Sequence, residues 1–433
     1  MKATLRPCAT LVDELALAAV VSALGVMLLC FAFASLAAAA QAAFVQPPVV
    51  RLLEDGGERS WMVRRPVPRS FYLHGSHALD FRANLTDDVA FDQYQIDALI
   101  VPALYTHPAR VYDRRATTLH VVALAPSLAT SARQIQAAKA LQRLPEWTDP
   151  RVELWCVVPA ADMSAFGSLR ALLGRRRNTR VFSLDQAFAL LAANRQVARL
   201  YANSVPIPYL ARRPLLEHAC AASRPDVRDR FGIMFHGDTG RYDNGLRGAV
   251  RDVLAWVPNA SYVSTYGLRD SLEELHKQHD ASLRLMQRSR FCMVPSGDVP
   301  SSGRLFEAMA AGCLPILVRP DAQSFDLPFP DLIRWSKLVS WLHPRQLSLE
   351  QRHTPAPPLM SLRKEEAALL QRSLERAPLA QLERGQMRCY RVACTVFNPY
   401  AHASTLIDYM LDATAAPVRT RIVAIGDDRI VVM

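Results

Sequence analysis

Residues 290–318 read RFCMVPSGDVPSSGRLFEAMAAGCLPILV, and this stretch decides the fold. Its apolar runs predict one strand over residues 291–294 and another over residues 314–318. Between them, a loop rich in turn-forming residues leads into a short helix over residues 303–311. Gly312 follows that helix at the position that favours a left-handed backbone. Strand, loop, helix and strand in this order predict a βαβ unit.

The start of this helix has the features of an anion-binding site. Ser301 and Ser302 offer capping hydroxyls, and the free N–H groups and the dipole of the helix favour a bound anion. Arg304 adds a guanidinium group for phosphate, while an exposed Glu307 on the same face could accept hydrogen bonds from a ribose diol. The pattern therefore fits a nucleotide-sugar site. On the pattern alone, however, an ordinary turn with a surface ion pair between Arg304 and Glu307 is the favoured interpretation.

Apolar runs alternate with helical patterns along much of the chain. Further strands are predicted at residues 71–74, 98–103, 118–125, 152–158, 180–183 and 231–236, and two short ones within 422–432. Helices are predicted at residues 131–144, 185–200, 246–255, 363–377 and 403–413. A proline-rich break at 203–230 separates two halves. This order predicts two α/β domains with parallel sheets and a ligand cleft at the carboxyl ends of the strands.

Composition limits the classes of function. The chain has 433 residues, of which 50% are hydrophobic and 21% charged, so a large core can form and global disorder is excluded. Its formal net charge is +11, mostly through arginine, which suits an anionic partner. A zinc-finger, RRM or homeodomain pattern is absent from the sequence, so we expect no nucleic-acid partner.

The amino-terminal region predicts a membrane segment. Residues 15–50 carry no charge, and residues 15–44 are longer than a bilayer-spanning helix requires. We interpret them as a signal anchor after a cytoplasmic tail of residues 1–14, followed by a stem at residues 45–69. A cleaved signal peptide ending near Ala42 is the alternative. Flanking positive charges favour the opposite orientation, but no later stretch of the sequence resembles a second span.

Eight cysteines are present, and six lie beyond the membrane segment. Cys292 and Cys313 fall in apolar runs, where buried free thiols are expected. Cys389 and Cys394 are close in sequence and are the predicted disulfide. Because the sequence has no C-x-x-C pair, a structural zinc site is not expected.

Residues 291–316 resemble the signature of the exostosin-like glycosyltransferases, the family GT47, which reads approximately F-C-L-x-P-x-G-D-x-P-S-S-x-R-L-F-[DE]-A. Weaker matches follow the family order. They are DALIVPALY at residues 97–105, LPEW at 144–147, IPY at 207–209, FHG at 235–237 with Gly245 and Arg247, and LPF at 327–329 with IRW at 333–335. The resemblance covers about residues 85–345.

The resemblance implies a GT-B architecture with two Rossmann-like domains facing a cleft. Residues 70–205 would form the acceptor domain and residues 206–345 the nucleotide-sugar donor domain. Residues 346–433 would form terminal helices that partly return to the first domain. The implied activity is an inverting, metal-independent transfer from a UDP-sugar to a polysaccharide or glycoprotein glycan. The implied location is the Golgi membrane, as a type II protein with a luminal catalytic part.

The resemblance also assigns site residues. Ser301, Ser302 and Arg304 would contact the donor diphosphate, and Glu307 the ribose or sugar hydroxyls. Gly237 would allow close approach of the donor. Weaker candidates for donor binding are Arg241 and Arg247. No metal ligand is implied, and no cofactor besides the nucleotide-sugar co-substrate.

One departure from the family pattern opens a second hypothesis. Many members carry G-R-D-H after L-P-x-W, whereas residues 147–154 read WTDPRVEL. The chain is therefore either an active transferase with a specialised acceptor side or a pseudo-transferase acting as a luminal binding subunit. The general base is left unassigned, and the candidates considered are His74, His77, Asp80 and His107. Whether the chain forms a homo- or hetero-oligomer also stays open.

Overall fold

A computed structural model describes most of the chain beyond the stem. The described residues are 54, 61–74, 96–123, 131–157, 172–173, 176, 178–184, 204–224, 231–237, 246–264, 272–295, 302–318, 327–342, 359–413, 424–426 and 429–431. The predicted tail and anchor, residues 1–44, lie outside them, as does the helix predicted at 185–200. None of the described helices combines the length and the apolar character needed to cross a bilayer.

The first sheet has six strands in the order β2-β1-β3-β4-β5-β6, and every neighbouring pair is parallel. Its strands are β1 (Phe71–Leu73), β2 (Arg110–Val111), β3 (Leu119–Ala123), β4 (Glu153–Val157), β5 (Thr179–Ser183) and β6 (Ser204–Pro206). The central strands β3 and β4 are buried on both faces and are nearly all apolar, as parallel strands covered on both sides must be.

The second sheet has five parallel strands in the order β11-β10-β9-β7-β8. Its strands are β7 (Phe231–Gly237), β8 (Ala260–Ser264), β9 (Ser289–Pro295), β10 (Leu314–Val318) and β11 (Ser340–Leu342). A separate antiparallel pair, β12 (Ala424–Gly426) and β13 (Arg429–Val431), confirms the two short strands predicted near the carboxyl terminus. The two parallel sheets confirm the predicted α/β class.

Nine α-helices lie among the described residues. They are α1 (Asp97–Thr106), α2 (Ser131–Gln142), α3 (Arg213–Ala221), α4 (Leu246–Leu254), α5 (Leu272–Arg288), α6 (Gly303–Ala310), α7 (Leu359–Glu375), α8 (Leu379–Thr395) and α9 (Pro399–Ala413). In the carboxyl-terminal part, α8 packs against α3 and α6, whereas α9 packs against α1 of the first half.

The strand predicted at residues 98–103 is wrong, because these residues belong to α1. A short apolar run does not distinguish a buried strand from a buried helix, since both place apolar side chains on every side. Ile100 and Leu104, one helical turn apart, are both buried, and α1 packs against α9. The tertiary contact therefore decided the helix.

Both cysteine predictions are also corrected. Cys292 in β9 and Cys313 before β10 form a disulfide, and Cys394 bonds to Cys220 across 174 residues. Cys389 is a buried free thiol whose pKa burial raises to about 12. Cys389 and Cys394 are five residues apart on one helix, so their side chains leave it at angles about 140° apart. Proximity in sequence therefore did not bring them together.

Candidate functional site

The second sheet has a topological switch point between β7 and β9. From β7 the chain first adds β8 on one side and then β9 on the other. In open parallel sheets, ligands bind outside the carboxyl ends of the strands at such a point. β7 ends at Gly237 and β9 at Pro295, and their parallel pairing places both ends at the same edge.

Helix α6 begins at this edge, a few residues after the end of β9. Ser302 is its N-cap, with an extended backbone, and its hydroxyl accepts a hydrogen bond from the Arg304 N–H at 3.3 Å. The helix is followed by Gly312, whose φ of +67° confirms the predicted left-handed position. The sequence signals at both ends of this helix therefore act as expected.

Arg304 is the centre of a charged cluster on the first turn of α6. Its Nη1 donates to Glu307 Oε2 and lies 3.1 Å from Nε2 of His279 in α5. The Glu307 side chain is only 8% exposed, so the prediction of an exposed carboxylate is wrong. The pair is thus not the surface ion pair of the alternative interpretation, because Glu307 holds Arg304 from within the fold.

A buried histidine at the end of β7 borders the cluster. His236 is 2% exposed, and its ring makes an edge contact with His279 at a centroid distance of 5.9 Å. Its Nδ1 is hydrogen-bonded to the Ser282 hydroxyl, and its Nε2 is buried with no hydrogen-bond partner among the described residues. Burial, with the charge of Arg304, lowers the pKa of His236 well below its usual value. A neutral imidazole nitrogen is therefore available beside Arg304.

Little in the sequence indicates this histidine cluster. His236 lies inside the FHG match at residues 235–237, in which the glycine is the residue with a predicted role. His279 and Ser282 are single polar residues within a long amphipathic helix, without a motif around them. Only the packing of α5 beside β7 and α6 brings them to the site.

The other predicted donor residues are placed as follows. Gly237 ends β7. A Cβ atom added to it would lie 3.0 Å from the ring of Phe235, so a larger residue would fit only tightly at this position. Arg247 is the second residue of α4 and is half-buried. Ser301 and Arg241 lie outside the described residues. Donor binding by these four residues stays a prediction.

Among the candidate bases, His77 and Asp80 lie outside the described residues. His107 follows α1, where its Nε2 is 3.3 Å from both the Ser404 carbonyl and Asp408 Oδ1, so it ties α1 to α9. His74 follows β1, and burial lowers its pKa to about 4. No described contact identifies either histidine as the general base.

The sequence comparisons with known proteins agree on one family. The Exostosin GT47 domain matches residues 72–348. A probable arabinosyltransferase, ARAD1, of Arabidopsis thaliana is 31% identical over 182 residues, which are 42% of this chain and 36% of the relative. Exostosin-1 of Drosophila melanogaster is 35% identical over 91 residues, 20% of this chain and 12% of the relative. The chain thus aligns with about a third or less of the length of these relatives.

A solved structure of WaaG, a glycosyltransferase involved in lipopolysaccharide biosynthesis, is 12% identical with a TM-score of 0.37, covering 78% of this chain and 98% of that one. This structural similarity is too low to assign a family. The assignment is based on the sequence match over residues 72–348, which extends over both parallel sheets and includes helix α6 with Ser302, Arg304 and Glu307. The chain belongs to the exostosin GT47 family of glycosyltransferases.

Proposed function

We propose that the chain transfers a sugar from a UDP-sugar to a glycan acceptor, with inversion at the anomeric carbon. The observation that carries this proposal is the Arg304 cluster at the start of α6, beside the switch point of the second sheet. The positive end of the helix dipole and a guanidinium group together suit a diphosphate. The protein's own cations would neutralise the leaving group, so the transfer itself would need no metal ion.

Arg304 is prepared for this role by its neighbours. Glu307 and His279 fix the guanidinium group before a donor binds, and its side chain keeps 26% exposure through which a phosphate can approach. Fixing the donor group in advance lowers the entropic cost of binding. Glu307 then has two candidate roles, holding Arg304 or accepting a hydrogen bond from the ribose or sugar hydroxyls. Its burial favours the first.

For location, we propose a type II Golgi membrane protein anchored by residues 15–44, with both sheets in the lumen. The two disulfides, Cys220–Cys394 and Cys292–Cys313, support an oxidising compartment. Relatives named as a probable arabinosyltransferase and a probable beta-1,4-xylosyltransferase support the transfer of a sugar.

A pseudo-transferase is the second candidate, because of the segment that replaces G-R-D-H. Asp149 and Arg151 form a two-point ion pair with each other there, at 2.9 and 3.1 Å. Residues 147–154 contain no histidine that could contact a substrate. Arg176 closes the segment by donating to the backbone carbonyls of Asp149 and Val152. Under this hypothesis the donor site would still bind nucleotide but would not turn it over.

The test is to incubate the full-length chain, purified in mild detergent, with a panel of UDP- and GDP-sugars. An active transferase should release UDP from one sugar faster when a matching glycan acceptor is added. A pseudo-transferase should show thermal stabilisation by UDP without release. If no nucleotide either stabilises the chain or is released, both candidates are wrong.

A further inference from the structure

Three potential metal ligands meet on the first sheet, away from the donor site. They are His74, His120 and Glu146, and one ligand atom of each lies within 4.8 Å of the others. His74 directly follows β1, His120 is the second residue of the adjacent strand β3, and Glu146 lies in the short 3₁₀ turn Pro145–Trp147 after α2. Three separate elements therefore converge on one point.

The distances suit a small divalent ion. His74 Nε2 lies 3.0 Å from His120 Nδ1, which lies 3.9 Å from Glu146 Oε1. Ligands about 2.0–2.1 Å from a tetrahedral zinc ion are about 3.3 Å apart. The first separation is thus about 0.3 Å shorter and the second about 0.6 Å longer than that value, and the third pair of ligand atoms lies within 4.8 Å.

The hydrogen bond on the far side of His120 fixes the required tautomer. Its Nε2 lies 3.3 Å from the Thr117 carbonyl, which can only accept, so Nε2 carries the proton. The lone pair of Nδ1 then faces His74 and Glu146. Metal-binding histidines commonly donate their other N–H to a backbone carbonyl in this way.

Glu146 is the independent observation that points to a ligand. Its side chain is only 9% exposed, and its Oε2 is buried with no hydrogen-bond partner among the described residues. Arg114 Nη1 lies 3.8 Å from Oε1, and this arginine side chain is 53% exposed. A buried carboxylate is costly without a partner, and a bound cation would satisfy both of its oxygens.

Arg176 holds the backbone around Glu146 in place. Its guanidinium donates to the carbonyls of Glu146 and Trp147, both at 3.0 Å, and to that of Val152. The backbone of the turn that carries Glu146 is therefore held by hydrogen bonds from a single guanidinium group.

We propose that His74, His120 and Glu146 bind one divalent ion of the zinc class, with the carboxylate completing the donor set through both oxygens. This proposal differs from the expectation, drawn from the family resemblance, of a chain without metal ligands. Glu146 lies in the turn before β4 and His120 near the start of β3, whereas His74 directly follows the carboxyl end of β1. The ion would therefore link three segments of the first sheet and stabilise it. This inference does not depend on the proposed transfer activity.

The experiment uses the full-length chain in mild detergent, stripped with EDTA and dialysed. Zinc would be titrated in competition with a chromophoric chelator, and cobalt by its visible absorption. We expect one equivalent of zinc per chain, an intense tetrahedral cobalt spectrum and a zinc-dependent rise in Tm. Glu146→Gln and His74→Gln should each weaken zinc binding at least about tenfold. The control His402→Gln removes an exposed histidine on α9 and should bind zinc as the wild type does.

Misfolding is separated from ligand loss by the Tm of the stripped proteins. Glu146→Gln removes a buried charge, so without zinc its Tm should equal or exceed that of the wild type. Two results would overturn the proposal: less than one equivalent of bound zinc in the wild type, or equal zinc affinities of the wild type and Glu146→Gln. The cluster would then be a hydrogen bond between His74 and His120 without a metal ion. UDP binding, measured on the same samples, reports the donor site separately.

Discussion

Replacing Arg304 with alanine tests the proposed donor site directly. The change removes a guanidinium group that lies at the N-terminus of α6 and is held by Glu307 and His279. Loss of a hydrogen bond to a charged group costs about 1.5–3 kcal/mol, which is about a 10- to 150-fold loss of affinity for UDP. The free energy of unfolding should fall by only about 1–2 kcal/mol, because Arg304 is partly exposed and His279 still lies 3.9 Å from the Glu307 carboxylate.

UDP affinity would be measured by isothermal titration calorimetry, and stability by thermal unfolding of the same samples. Arg213→Ala is the matched control, since it removes an arginine from an exposed i,i+4 pair with Glu217 on α3. This control should change neither UDP affinity nor Tm appreciably. Equal UDP affinities of Arg304→Ala and Arg213→Ala would refute the donor site and leave the cluster as an internal ion pair.

The two roles of Glu307 are separated by a double-mutant cycle. If Glu307 only positions Arg304, Glu307→Gln should weaken UDP binding in the wild type but have no further effect in Arg304→Ala. If it contacts the ribose, the two losses should add. Uridine without phosphates provides a further check, because only a ribose contact makes its binding sensitive to Glu307→Gln.

Three further predictions concern the fold around this site. Gly312→Ala should lower the free energy of unfolding by about 2–4 kcal/mol, because the residue has a φ of +67° and an added Cβ would lie 2.3 Å from Tyr390. The measurement is thermal unfolding, with Gly232→Ala as the control, since a Cβ added to Gly232 would have its nearest atom at 3.4 Å. His236 stays neutral in the fold but is protonated below about pH 6.5 when unfolded, so the free energy of unfolding should fall as the pH falls below about 6.5, by up to about 1.4 kcal/mol per pH unit. Denaturant titrations of His236→Asn should show a smaller change of the free energy of unfolding with pH, and an unchanged pH dependence would contradict the neutral imidazole. Peptide mapping without reduction should recover two linked pairs, Cys220–Cys394 and Cys292–Cys313, and a Cys389–Cys394 peptide would contradict the structure.

Local signals in the sequence predicted the helix that carries the proposed donor site. Strand β10 begins and ends at the predicted residues, Ser302 caps α6, and Gly312 has the left-handed backbone that only glycine adopts at low cost. These features depend on the conformational preferences of neighbouring residues, so a short stretch of sequence suffices for them. The family signature lies in the same stretch.

Contacts between distant segments were beyond what the sequence alone determined. Residues 97–106 form a helix because α9, about 300 positions later, covers them, and Cys394 pairs with Cys220 because α3 and α8 are adjacent. Glu307 is buried because α5 brings His279 against it. His74, His120 and Glu146 lie far apart in sequence and meet only through strand order. Burial and side-chain convergence are set by how whole elements pack, and a local pattern carries no information about which distant element will cover it.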